Sequence, residues 1–169
     1  DVYIRGGPIT RLSENQLASF RQKHIGFVFQ SYNLLPFMTA VENVAMPLMF
    51  RGENKRKRTR MAVDMLRKVG LGNRLKHYPR QMSGGQQQRV GIARAFVAKP
   101  DVVFADEPTG NLDSKTTIEV MDMIKSFARK FNQTIVLVTH DPELAKYADR
   151  IVTLVDGRIV SDTKGENNG

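Results

Sequence analysis

The run Val102-Val103-Phe104-Ala105, broken at once by Asp106-Glu107, constrains this chain more than any other feature. Consecutive apolar residues describe a strand covered on both faces, the habit of parallel sheets. Two further runs share the design: Ile25–Phe29, ending at Gln30, and Thr134–Val138, ending at Thr139-His140. Strand and helix alternate after residue 100, which argues for a parallel α/β sheet. Ligands of such sheets sit beyond the carboxyl ends of the strands. All three strands end in polar residues suited to a site there, and the convergence of the three carries more than any one of them.

The rest of the chain divides around these strands. Val2-Tyr3-Ile4 reads as a short strand closed by Gly6-Gly7. Ser13 to Gln16 and Thr39 to Glu42 are capping boxes that open helices, the second expected to kink or stop near Pro47. Ser31 to Phe37 is a loop with exposed apolar residues. Residues 54–69 form an amphipathic helix with Met61, Met65, Leu66 and Val69 on one face, stopped by Gly70. Ser83 caps a helix to about Ala98, Asp113 caps another from Ser114 to about Arg129, and Asp141-Pro142 starts a short one. Ile151–Val155 and Arg158–Val160 make a hairpin around Asp156-Gly157, and the polar tail from Lys164 is expected to be disordered. The division is thus 1–37 and 99–163 as α/β body, 38–98 as a helical insert, and 164–169 as tail.

The chemistry follows from residue types. Ser83-Gly84-Gly85-Gln86 opens a helix whose free N–H groups and dipole make an anion site, and two glycines let a phosphate come close to the backbone. The same residues equally form an ordinary capping box, Ser83 with Gln86. Asp106 suits Mg²⁺, directly or through water, and Glu107, aimed differently, suits a base that polarises an attacking water. Alone the pair could also be a surface turn. Gln30 can order a metal-bound water or merely satisfy a strand end. His140 can stabilise charge that develops on a terminal phosphate, or be structural. Asp113 is a helix cap that also has the position for a subunit contact. Together these residues point to nucleoside triphosphate chemistry, yet no Gly is followed by Lys anywhere, so no G-x-x-x-x-G-K-[ST] loop is present.

Composition narrows the classes. The 169 residues suit one domain or part of a larger one, and 41% hydrophobic content supplies a core. There is no cysteine, which excludes disulfides and thiolate chemistry. No apolar run approaches membrane-spanning length and no signal-peptide pattern opens the chain, so the expectation is a soluble, cytoplasmic protein. The net charge of +9 is uneven: residues 1–100 hold 18 Lys/Arg against 5 Asp/Glu, and residues 101–169 hold 8 against 12. Arg51 and the cluster Lys55-Arg56-Lys57-Arg58-Arg60 supply much of the excess, either as a solvated helix face or as a contact for anionic lipid or a polyanion.

With these residues assembled, the chain resembles the ATP-binding subunits of ABC transporters. Met82-Ser83-Gly84-Gly85-Gln86 is similar to the family's signature motif, Val102 to Glu107 to Walker B with the catalytic glutamate, and Gln30 to the Q-loop. Asn111-Leu112-Asp113 is similar to the D-loop and His140 to the switch histidine. Ile25–Gln30, Asn33–Pro36, Thr39–Val44 and Pro47-Leu48 resemble the macrolide-exporter and lipoprotein-releasing branch. The resemblance implies an α/β core like that of P-loop NTPases (RecA-like), incomplete at the N-terminus, with a helical subdomain inserted. It implies ATP and Mg²⁺ as cofactors, Glu107, His140 and Gln30 in catalysis, and Asp106 with Gln30 at the metal. Ser83, Gly84, Gly85, Gln86 and Asp113 would meet nucleotide held by a second copy. Transmembrane permease subunits are the implied partners, seated at the loop Tyr32 to Phe37, with no nucleic acid expected and a location on the inner face of the cell membrane. The family's P-loop would lie ahead of Asp1, so the expectation for this polypeptide alone is weak ATP binding, negligible hydrolysis and an open strand edge prone to association. A soluble ABC ATPase acting on nucleic acid, suggested by the basic first half, and a non-catalytic interaction module are the rivals.

Overall fold

The fold was obtained as a computed structural model, which describes residues 1–164. Its centre is a three-stranded parallel sheet of β3 (Ile25–Phe29), β4 (Val102–Asp106) and β5 (Thr134–Val138), with β4 in the middle. The register aligns Ile25, Val102 and Thr134 at one end and Phe29, Asp106 and Val138 at the other. A small hairpin of β1 (Tyr3–Ile4) and β2 (Gly7–Pro8) precedes α1 (Glu14–His24), which runs straight into β3. The crossover from β3 to β4 is long and holds α2 (Ala40–Phe50), α3 (Lys55–Lys68) and α4 (Gly84–Val97). The crossover from β4 to β5 is α5 (Ser114–Phe131). After β5 come α6 (Pro142–Ala145) and the hairpin β6 (Arg150–Val155) and β7 (Arg158–Lys164). Its turn residues Asp156 and Gly157 have φ of 48° and 73°, the left-handed pair that a two-residue turn demands.

Local chemistry sets most helix starts. Ser13, Thr39 and Ser83 each close a capping box with Gln16, Glu42 and Gln86, and Asn54 and Asp113 cap α3 and α5 by accepting from the third residue on. The buried residues of α3 are Ala62, Met65 and Leu66, on one face, with Val69 and Leu71 continuing the contact beyond it. They meet Val44 and Leu48 of α2 and Val90 and Phe96 of α4 in one core. The Phe96 and Phe127 rings meet edge to face at 5.4 Å and join α4 to α5.

Two expectations require correction. Of the kink or stop expected at Pro47, the stop does not occur, and α2 runs on to Phe50. Its end is held from outside: the Arg51 guanidinium donates to the carbonyls of Gln22, Lys23 and Ala98 at 2.7, 2.5 and 2.5 Å, tying α2 to the ends of α1 and α4. Nor are β3 and β5 covered on both faces. Val28, Val103 and Ala105 are buried on the face that meets the helices, whereas Phe27 and Val138 on the other face are 43% and 53% exposed. Period-2 geometry puts alternate residues on opposite faces, and among the described residues nothing covers the second face. β5 is also an edge strand, with a cleft of about 490 Å³ beside it floored by Ile124, Ile135 and Leu137. The tail beyond Lys164 lies outside the described residues; Lys164 itself ends β7. Among the described residues no helix is long and apolar enough to cross a membrane.

Candidate functional site

The strand register decides where the polar tips lie. Phe29, Asp106 and Val138 are neighbours across the sheet, so Gln30, Glu107 and Thr139-His140 leave the same rim side by side. Asp106 is the last residue of β4 and is exposed there. Glu107 follows at φ 42°, a left-handed conformation uncommon for a non-glycine residue. Its own N–H donates to Val138 O at 2.9 Å, which locks the turn against β5. The Glu107 carboxylate is consequently aimed across the rim. Its Oε1 accepts from the His140 backbone N–H at 2.8 Å and lies 2.8 Å from His140 Nδ1, which donates when the ring proton sits there. The Thr139 hydroxyl donates to Oε2 at 3.3 Å. His140 is 87% exposed and Glu107 only 20%, so the pair presents its imidazole outward and holds its carboxylate within.

Gln30 lies against the segment that follows Glu107. Its main-chain carbonyl accepts from Asn111 Nδ2 at 3.1 Å, and a Cβ at Gly110 would stand 2.5 Å from Gln30 Nε2, so a larger residue there would displace the Gln30 side chain. Asp106 and Gln30 offer one carboxylate and one amide oxygen. Among the described residues no three His, Asp or Glu side chains stand close enough to hold an ion by themselves. That donor set fits Mg²⁺, which is commonly held by one or two carboxylates completed by waters and substrate phosphates.

The start of α4 builds a second feature. Ser83 Oγ accepts from Gln86 N–H at 3.3 Å while Gln86 Oε1 accepts from Ser83 N–H at 3.2 Å, so the capping-box reading of these residues is realised. Gly84 and Gly85 are closely crowded: added Cβ atoms would stand 2.8 Å from Tyr32 Oη and 2.9 Å from Thr116 Cγ2. Ser83, Gly85 and Gln86 line a shallow cleft of about 260 Å³ with Gly70, Arg89, Thr116 and Glu119. Asp113, the cap of α5, accepts from Thr116 N–H and Oγ1 at 3.0 and 2.7 Å, first the hydroxyl and then the backbone bond holding its carboxyl below the ordinary range. Among the described residues no hydrogen bond joins Ser83 to Gln86 with Gln30, Asp106, Glu107 or His140. The candidate residues therefore form two groups, the three-strand rim and the α4 cleft, with Asp113 joined to the cleft through Thr116.

Sequence reading missed the side chains that join the groups. Gln88, fully buried, donates from Nε2 to Phe29 O at 3.3 Å and to Pro108 O, the carbonyls flanking Gln30 and Glu107. Arg94, buried two turns further on, donates to Asn33 O and Tyr32 O at 2.6 and 2.9 Å, and burial lowers its pKa. Asn43 is buried and bonds Leu35 N–H and O at 2.8 and 3.1 Å and Met38 O at 3.0 Å, holding the loop that follows Gln30. Asn43 and Arg94 carry a signal for such roles, a polar residue on an otherwise apolar helix face, and Gln88 does not. His24 and His77, left without a role from sequence, stay apart: His24 meets Asp101 at 2.5 Å at the opposite end of the sheet and His77 meets Arg74.

A parallel sheet whose strand tips gather carboxylate, amide and imidazole on one rim, with a glycine-rich helix start nearby, defines an α/β protein of the P-loop NTPase type. The family model described as ABC transporter matches residues 1–110, and the chain belongs to that family. An uncharacterized ABC transporter ATP-binding protein, MJ1508 of Methanocaldococcus jannaschii, is 51% identical over 95% of this chain and 71% of its own length. The lipoprotein-releasing system ATP-binding protein LolD of Geobacter metallireducens is 51% identical over 95% of the chain and 72% of its own. The macrolide export ATP-binding/permease protein MacB of Pasteurella multocida is 49% identical over 96% of the chain but only 25% of its own. Among solved structures, the dimeric ATP-binding cassette MJ0796, bound to ADP and Pi, superposes with a TM-score of 0.85 at 40% identity, over 96% of this chain and 72% of that one.

Proposed function

We propose that this chain is the ATP-binding and ATP-hydrolysing subunit of an ABC transporter, acting as a homodimer on permease subunits at the inner face of the membrane. The observation that carries the reading is the shared register of the three strand tips, which crowds Gln30, Asp106, Glu107 and His140 on one rim. Asp106 and Gln30 would hold Mg²⁺, which supplies charge neutralisation on the phosphates of the bound nucleotide. Glu107 is the base that takes a proton from the attacking water. His140, poised against Glu107, positions that carboxylate and presents its outer ring nitrogen to the terminal phosphate. Ser83, Gly84, Gly85 and Gln86, set apart from the rim, face nucleotide held by the second copy, with Asp113 across the same contact. The dimeric state of the MJ0796 cassette bound to ADP and Pi supports that division. With an α/β body at 1–37 and 99–163 and a helical part at 38–98, the loop 32–37 lies where the two parts join in sequence and would receive a permease helix.

The test is complementation. The 169 residues contain no GK[ST] loop, so turnover by this polypeptide alone is expected at background. Mixed with a LolD relative whose own signature serine has been replaced by arginine, it should restore ATP hydrolysis at least about tenfold, since a lost catalytic electrostatic contact is worth that much or more. Ser83→Arg in this chain should abolish the gain. A gain that survives Ser83→Arg, or no gain at all, would overturn the proposal.

A further inference from the structure

Residues 51–80 hold eleven Lys/Arg against two Asp/Glu, a surplus of nine that equals the net charge of the whole chain. Eight of the eleven lie at Arg51 and in or at the end of α3, and they serve different ends. Arg51 and Arg58 are spent on carbonyl oxygens. Arg56, Arg60 and Arg67 stand on one outward stripe of α3, since 3.6 residues per turn sets them opposite buried Ala62, Met65 and Leu66. Lys57 and Lys68 border that stripe, and all five are exposed. Arg56 and Arg60 have no ion pair among the described residues, as has Lys55 beside them, while Lys57 reaches Glu53 at 2.8 Å and Arg67 lies 3.6 Å from Asp64. The first turn of α3 has no acidic residue, so these cations sit where the helix dipole is unfavourable to them.

We propose that the outward face of α3 is an electrostatic contact for an anionic lipid surface. The apolar face of α3 is already buried in the core, so the helix adsorbs by charge and does not insert. Met49 and Phe50, 41% and 57% exposed, close α2 just before the turn into α3, so exposed apolar side chains stand next in the chain to the basic stripe, a pairing suited to a headgroup boundary. That pairing favours lipid over nucleic acid, for which a single aromatic offers no platform for successive bases. The inference rests on the transporter reading only in expecting a bilayer nearby; its test uses no nucleotide, so either can fail without the other.

Cosedimentation with vesicles of phosphatidylcholine alone, or mixed with phosphatidylglycerol, reads the contact directly. The chain should bind the mixed vesicles and not the neutral ones, and binding should fall with added salt. Each basic residue near such a surface is worth about a fivefold change. Arg56→Gln alone should therefore weaken binding about fivefold, and Arg56→Gln, Lys57→Gln and Arg60→Gln together about a hundredfold. Neutralising Lys115, Lys130 and Arg158 in the other half should leave it within about twofold, a control for bulk charge. Equal binding to neutral vesicles, an equal loss in the control, or displacement from the vesicles by duplex DNA or RNA of matching charge overturns the proposal.

Discussion

Gln88 joins one amide to two carbonyls that neighbour the rim, and its own Oε1 is buried without a partner. An amide in that position cannot be turned over, because its oxygen would then face Phe29 O and Pro108 O. Removing the donor leaves Pro108 O unsatisfied, at about 1–3 kcal/mol, and leaves Phe29 O with the Tyr32 N–H at 3.3 Å. Gln88→Leu should accordingly lower unfolding stability by about 2 kcal/mol, read as a shift in urea midpoint at unchanged slope. Gln88→Glu should do worse than Gln88→Leu, since it sets acceptor against acceptor in a dry site. A Glu variant as stable as wild type would show that the amide does not hold these carbonyls. The same reasoning explains why Gln88 escaped the sequence reading. Its partners are 59 and 20 residues away, and a glutamine within a polar run counts as surface in any periodicity. Asp106-Glu107 and Thr139-His140 were legible because each pair follows an apolar run directly, a purely local mark.

At the scale of single elements, helix starts were the most legible part of the fold. The capping pairs Ser13 with Gln16, Thr39 with Glu42 and Ser83 with Gln86 depend on residues three apart, and all are formed. Two of the capping carboxylates have pKa values below the ordinary: Glu42 through the Thr39 hydroxyl and then its N–H, and Asp113 through Thr116 in the same order. A depressed carboxyl contributes stability that is present above its unfolded pKa and is lost as pH falls through the folded one. Thermal stability should therefore fall on acidification across the carboxylate range, and Glu42→Gln with Asp113→Asn should flatten that slope. A slope unchanged in the double variant would assign the acid sensitivity elsewhere. Pro47 was illegible for the converse reason: whether α2 continues past it is decided by Arg51 reaching the ends of two other helices.

The central sheet presents one face without cover and, at β3 and β5, two unpaired strand edges among the described residues. Period and apolar character identify a strand, yet they do not reveal what lies over it, so coverage of both faces could not be read from Ile25–Phe29 or Thr134–Val138. Phe27, Phe104 and Val136 lie across from one another on that face, the two rings stacked at 5.6 Å. Exposed apolar surface beside a free edge recruits other chains. This polypeptide should associate with rising concentration in sedimentation velocity, and Val138→Lys, which puts a charge on the open edge, should suppress it. A monomer at all concentrations would contradict this. The buried Arg94 has a different consequence. It clamps two successive carbonyls of the segment leaving β3, while Asn43 clamps the far side of the same segment. The stretch from Tyr32 to Met38 is thereby tethered to two helices at once, to α2 through Asn43 and to α4 through Arg94, and α4 is the helix that Ser83 caps.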